Sequence, residues 1–277
     1  MSVGVVQNGE TLLEHHLGFA DVESQQVAES TTRYPIVSLS KSFVAATVAQ
    51  LVHNGQLQWN EPITTYLPEL SSIAGPMPAD QLTSIDLLSH QTGLPGLEAL
   101  WLGANNDVIV PKEFTVTLCK HLPSLYPPRS KWLYNNWMYA LVGEVIERVT
   151  NVTWGQALES RVLSQVGLSQ SSVIESEIPA GSTAFPYAVL DDKTQWRISN
   201  VRLEDGETMS PAGGVRSTLH DLLLWGDFLL SVLQGEKSPL YQMENILSGQ
   251  SFINQSVSFD ELYGLGFAKV TLVHRLG

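Results

Sequence analysis

The chain opens on alternating apolar and polar positions. Residues 2–21, SVGVVQNGETLLEHHLGFAD, read as a strand, a turn at Asn8-Gly9 and a second strand. Asn-Gly between apolar runs is a strong hairpin signal. The period then changes. SKSFVAATVAQLVHNGQL, residues 40–57, is rich in Ala, Val and Leu and predicts a helix that stops at Asn54-Gly55. A proline-punctuated stretch runs from Pro62 to Pro78, and TSIDLLSHQTGL predicts a short capped helix entering a turn at Gly93. EFTVTLCKHL predicts a helix with Phe114, Leu118 and Leu122 on one face. The clearest helix runs from about Asn136 to Thr150, where Met138, Leu141, Val142, Val145, Ile146 and Val149 recur at helical spacing. TWGQALESRVLSQVGL predicts another amphipathic helix. FPYAVLDDKTQWRIS, inside an irregular polar region, predicts two short strands. STLHDLLLWGDFLLSVL starts on a Thr218-x-x-Asp221 capping box and is helical, and ELYGLGFAKVTLV returns to strand composition.

Strands, many helices, then a strand suit an α+β fold in which both chain ends build a sheet and a helical region is inserted between them. The expected division is one domain over 1–277, with sheet in 1–37 and 205–277 and a mainly helical part in 38–204. The first two strands are the expected partners of the terminal one.

Composition narrows the function. The 277 residues are 43% apolar and 16% charged, enough for a large core and too apolar for a disordered chain. Net charge is −13, which disfavours nucleic acid and anionic membrane as partners. No apolar run approaches the ~20 residues of a membrane span. The N-terminus shows no basic start followed by an apolar run, so a cytoplasmic protein is expected. Cys119 is the single cysteine and reads as a small buried side chain.

The candidate chemistry lies in PIVSLSKSF, residues 35–43. Ser38 sits where strand gives way to helix. It is either a helix cap or a nucleophile favoured by the helix dipole. Lys41, three residues on, shares its face. Desolvated, its neutral amine accepts the serine proton; charged, it stabilises an alkoxide. Ser40 points away and is the poorer candidate. By itself Ser-x-x-Lys is a common helix start. Three later segments add to it: Tyr134-Asn135-Asn136 before the most apolar helix, LLSHQTGL at 87–94 and PAGGVRSTLHDL at 211–222.

In that order and spacing these segments resemble the serine beta-lactamase and penicillin-binding-protein superfamily, and within it the branch similar to class C beta-lactamases and related esterases. The run PPRSKWLYNNW, and LDD after FPY, look most like fungal members. The resemblance covers about Ser2 to Phe267. It implies an antiparallel sheet flanked by helices with an inserted helical subdomain. It implies that Ser38 is the acylated nucleophile and that Lys41 shares its proton network. Tyr134 and Asn136 stand for the family's Tyr-x-Asn motif. Tyr134 is then a general base whose phenol a nearby cation lowers, and Asn136 orients a substrate amide or carbonyl. Without the resemblance, Tyr134 reads as a half-buried aromatic and Asn136 as a helix N-cap. Thr92-Gly93 reads as a turn and His90 as a backbone hydrogen-bonder. Gly213 and Gly214 allow close backbone approach or positive φ, and YGLGF, 263–267, resembles the family's strand leading toward the site.

The family's third motif, Lys or His followed by a small residue and Gly, supplies one of two oxyanion N–H donors, the other being the Ser38 amide. It falls some tens of residues after YGLG, so a C-terminally truncated chain is expected. VHRLG, with His274, comes too soon and has no small residue after the histidine. No Gly-x-Ser-x-Gly elbow, paired-histidine metal spacing or phosphate loop is present, so neither metal nor cofactor is expected. The expected function is a serine hydrolase or acyltransferase acting on a small-molecule amide, ester, thioester or lactam. The alternative is a catalytically impaired relative that binds a small ligand or a protein partner.

Overall fold

The computed structural model describes residues 1–255 and 259–272. Strands β1 (Ser2–Gln7) and β2 (Glu10–His16) form the expected antiparallel hairpin. Asn8 and Gly9 close it with φ of 52° and 78°, the left-handed pair that matches strand twist. β3 (Phe19–Asp21) pairs with β4 (Gln26–Val27), and β5 (Tyr34–Pro35) leads into the first helix.

That helix, α1 (Ser40–His53), is buried at every residue from Ser40 to Leu51. A helix apolar on all sides belongs in the middle of a fold, and α1 packs against four others. It ends at Gly55, whose φ of 69° suits glycine. Next come α2 (Glu69–Ser72), α3 (Ser84–Leu88), α4 (Thr115–His121) and α5 (Asn136–Thr150). α3 begins on a reciprocal capping box between Thr83 and Asp86. α6 (Trp154–Leu158) and α7 (Ser164–Val166) form one helical run through a π-turn at Glu159–Leu163. β6 (Tyr187–Val189) and β7 (Gln195–Arg197) make the two short strands expected in that region. α8 (Ser210–Gly213) precedes β8 (Arg216–Ser217), which pairs with β5. α9 (Leu219–Leu233), α10 (Met243–Leu247), β9 (Ser251–Gln255), β10 (Phe259–Tyr263) and β11 (Ala268–Leu272) complete the described chain. The α+β class is as the residue pattern implied.

Several local expectations change. The terminal run is two strands, not one, broken by a turn at 264–267, and β10 pairs with β9 and β11 instead of the first two strands. The YGLGF segment is therefore that turn. Gly266 there has φ 83°, and a Cβ on it would stand 2.6 Å from the Lys41 carbonyl. On α4 Thr115 and Cys119 are buried, Leu118 is half-buried against the core and Leu122 is buried just past the helix end, while Phe114, on the 3-10 turn before the helix, is exposed. At α9, Thr218 caps the Asp221 amide, but the Asp221 carboxylate turns away to accept from the Gln170 amide and the Ser171 hydroxyl, each at 2.8 Å. The VHRLG segment lies outside the described residues.

Candidate active site

Ser38 lies in a short 3-10 turn, Val37–Leu39, that runs directly into α1. Its side chain makes no cap hydrogen bond, so capping does not account for it. The backbone enters this turn through Val37, at φ 46°. A β-branched residue there is strained, at a cost of order 1–3 kcal/mol. The Ile36 amide donates to the Val215 carbonyl at 3.1 Å, and β5–β8 pairing fixes the approach. Ser38 is exposed and its amide belongs to the first turn of a helical run, where amides lack intrahelical partners. Ser40 is buried and accepts from the Val215 amide, a structural role.

Lys41 is one turn further along α1, at 1% exposure. Its Nζ lies 3.2 Å from Ser38 Oγ, 2.7 Å from Asn136 Oδ1 and 2.7 Å from the Ala212 carbonyl oxygen. Burial lowers its pKa to about 7, against the opposing pull of the Glu98 carboxylate. Tyr134 donates its hydroxyl to Ser38 Oγ at 2.7 Å, and the Lys41 ammonium position lies 4.9 Å from the Tyr134 ring centre. Ser38 and Lys41 on one segment therefore converge with Tyr134 and Asn136 on a second, about 95 residues away.

The loop carrying Tyr134 is tied down at several points. Arg129 grips Asp86 at the head of α3 with two bonds, 2.8 and 2.6 Å. The Leu133 amide donates to the His90 carbonyl at 2.9 Å, and the Asn135 amide to His90 Nδ1 at 3.1 Å. His90, buried against the rings of Tyr134, Tyr139, Trp132 and Tyr263, is held neutral, its pKa pushed down to about 3 by burial and then by Lys41. It serves the backbone, as the sequence implied. Gly93, at φ 74°, could carry no side chain, since a Cβ would meet the Tyr126 carbonyl oxygen at 2.0 Å. Gly214 gives close approach, a Cβ there being 2.1 Å from the Leu203 carbonyl oxygen, but neither it nor Gly213 has positive φ.

Two sequence-based expectations are corrected here. The N-cap of α5 is Asn135, not Asn136. The Asn135 Oδ1 accepts from the Trp137 amide at 2.9 Å, and its Nδ2 donates to the carbonyls of Leu94 and Pro95. Asn136 is thereby the first helical residue, free to face Lys41. The Tyr134 phenol is not lowered by a cation: burial raises its pKa, its hydrogen bond with Ser38 opposes that, and Glu98 raises it further. The side-chain amide of Asn136 is engaged within the protein, its Nδ2 donating to Glu98 Oε1 at 3.0 Å. Sequence reasoning missed Glu98 and the Ala212 carbonyl. A cavity of about 490 Å³ opens on the other side of Val37, lined by Tyr34, Phe185, Ile198, Val201 and Leu203. Ser38, Lys41 and Tyr134 are not among its lining residues.

Comparisons with known proteins give the family. A family model described as beta-lactamase matches residues 1–268. An unguisins hydrolase of Aspergillus violaceofuscus is 26% identical over 240 residues, covering 83% of this chain and 42% of that protein. A D-aminopeptidase of Brucella anthropi is 26% identical over 274 residues, covering 95% of this chain and 48% of its own. The chain thus spans about half the length of the curated relatives it matches. The octameric penicillin-binding protein homologue of Pyrococcus abyssi superposes with a TM-score of 0.80 at 21% identity, over 96% of this chain and 60% of that one, and so shares the fold. With a family match over nearly its whole length, this chain belongs to the beta-lactamase family.

Proposed function

We propose that the protein is a serine hydrolase or acyltransferase of the class C beta-lactamase-like type, acting through an acyl-enzyme on Ser38. One observation carries this. A hydroxyl and an amine from one turn and a phenol from a distant loop meet, the hydroxyl within hydrogen-bond distance of both others, and the amine is desolvated.

Lys41 Nζ faces three oxygens, an arrangement that also suits an ammonium donating to each; in the reactive form it is a neutral amine. Such an amine has two N–H donors and one lone pair. The two nearest partners, Asn136 Oδ1 and the Ala212 carbonyl, can only accept. Ser38 is the third neighbour and carries a proton to give, while its oxygen accepts from Tyr134. Ser38 Oγ attacks the acyl carbon as its proton passes to Lys41 Nζ. The resulting oxyanion faces the Ser38 amide. Collapse expels the leaving group, which takes a proton from the Tyr134–Lys41 pair. Water or another acceptor then releases the acyl group by the reverse proton path. Tyr134 acts in this scheme as a neutral proton relay, consistent with its raised pKa. The substrate is a small amide, ester, thioester or lactam, and the chemistry needs no cofactor.

Incubation with a fluorophosphonate or a beta-lactam followed by intact-mass measurement tests the reading. The expected result is a single stable adduct that Ser38→Ala abolishes. Absence of an adduct, or one that survives that substitution, overturns it in favour of a non-catalytic binder.

A further inference from the structure

Glu98 is the residue at this site that the scheme above leaves without a task. It begins a short turn, Glu98–Leu100, entered through Leu97 at φ 41°. Its Oε1 accepts from Asn136 Nδ2 at 3.0 Å and its Oε2 from Trp101 Nε1 at 2.5 Å. Both donors are neutral, so they orient the carboxylate without cancelling its charge. Among the described residues, no lysine, arginine or histidine forms an ion pair with it. Arg216, which lines the cavity beside Val37, is taken by Glu175 and Glu204. Lys41 stands one carboxamide away, through Asn136, whose Oδ1 holds Nζ. When Lys41 is neutral, Glu98 is the acidic side chain among Ser38, Lys41, Tyr134, Asn136 and Glu98, with no cation in that set to offset it.

The two protein donors use two of the roughly four acceptor positions of the carboxylate. Glu98 is exposed, so the remaining positions face the cleft mouth and solvent. A charge fixed in orientation and open on one side is a receptor for a cation. It also repels a substrate carboxylate. Glu98 stands one carboxamide away from Lys41, and Lys41 touches the nucleophile. A cation bound there belongs to the acyl group being transferred, close to its carbonyl.

We propose that the cleft selects acyl donors bearing a protonated amine near the scissile carbonyl, and that Glu98 is the specificity-determining residue that receives the ammonium. This rests on Ser38 being the nucleophile. The competing role, in which Glu98 does no more than hold the Asn136 amide in place, predicts an equal effect on every substrate.

The test compares alanine p-nitroanilide of either hand with its N-acetyl and N-succinyl derivatives at about pH 7.2, where an α-amine is still mostly protonated and Lys41 is largely neutral. The expected order in kcat/KM is free amine, then N-acetyl, then N-succinyl. The first step should be about tenfold or more, and it should shrink as salt is raised. Glu98→Gln should bring the free-amine to N-acetyl ratio close to one. A wild-type preference for N-acetyl or N-succinyl overturns the proposal, as does a Glu98→Gln loss shared equally by all three. A binding arm removes the dependence on turnover. Ser38→Ala protein should bind alaninamide about tenfold more tightly than N-acetylalaninamide, and Ser38→Ala/Glu98→Gln should bind both alike. Equal affinities in the single variant overturn the proposal. Failure of the acyl-enzyme reading shows instead as a missing fluorophosphonate adduct, whatever the amides do.

Discussion

The two flanks of Ser38 are built on different principles. On the inner flank Lys41 is sealed into the centre of the molecule at 1% exposure, with each hydrogen-bond position assigned to a named partner. On the outer flank Glu98 sits on an exposed turn, half satisfied by protein and half open to solvent. Asn136 joins them, one end of its amide on each. Burial shifts the amine by stripping water from it, which tunes reactivity. Exposure leaves the carboxylate within reach of a ligand, which suits recognition. A buried polar group tolerates no loose ends, so the inner flank should be sensitive to small changes and the outer flank tolerant of them.

Substitutions can break this contrast, and the largest effect belongs to the amine. Lys41→Met fills the same space without a proton acceptor. It should lower the acylation rate about 10²–10⁴-fold while far-UV circular dichroism still reports a folded chain. A variant that keeps wild-type labelling would show that Lys41 is only structural. Tyr134→Phe removes one hydroxyl and no packing. It should cost about 10²-fold in kcat with KM little changed, read from steady-state hydrolysis of an activated ester. A KM effect without a kcat effect would place the phenol in binding instead. Asn135→Ala strips the α5 cap and the bonds to Leu94 and Pro95. It should destabilise the fold by about 1–2 kcal/mol or more, measured by denaturant unfolding, and shift Tyr134 with it.

The smallest effect is linkage. Lys41 is depressed to about 7 in the fold from 10.5 in the free side chain, so between those values the unfolded chain binds the extra proton. Stability contributed at this position therefore grows as pH rises through that window and is constant below it. Lys41→Met should flatten the slope of unfolding free energy against pH in that range. An unchanged slope would mean that the amine keeps its ordinary pKa.

Much of this was legible in the sequence where the signal is local. The bounds of α5 follow from apolar spacing, and the β1–β2 hairpin follows from Asn8-Gly9. Ser38 and Lys41 face one another because residues three apart share a helix face, and the 3-10 turn preceding α1 preserves that relation. What escaped is non-local or lies in the backbone. The Ala212 carbonyl has no side-chain signature. Glu98 sits in GLPGLEAL, where no periodicity marks one glutamate as different from a solvated one. Asn135 and Asn136 are adjacent and chemically identical, and the assignment of the cap depends on His90 and Leu94, which only the tertiary fold brings near. The partners of β10 were misassigned because strand pairing depends on chain reversal at Gly264–Phe267, which composition read as continuous strand. The direction of the Tyr134 pKa escapes the sequence because burial raises it, against its bond with Ser38, and the distant Glu98 raises it further.

The central claim is that a neutral Lys41 activates Ser38, and the pH dependence of covalent labelling tests it most directly. The rate of modification by an uncharged phosphonate fluoride, followed by mass from about pH 5 to about pH 9, should rise roughly tenfold per unit at low pH and level off above about 7. The label should sit on Ser38 throughout. A rate that is flat or falling through that range, or a label carried by another residue, would contradict the account.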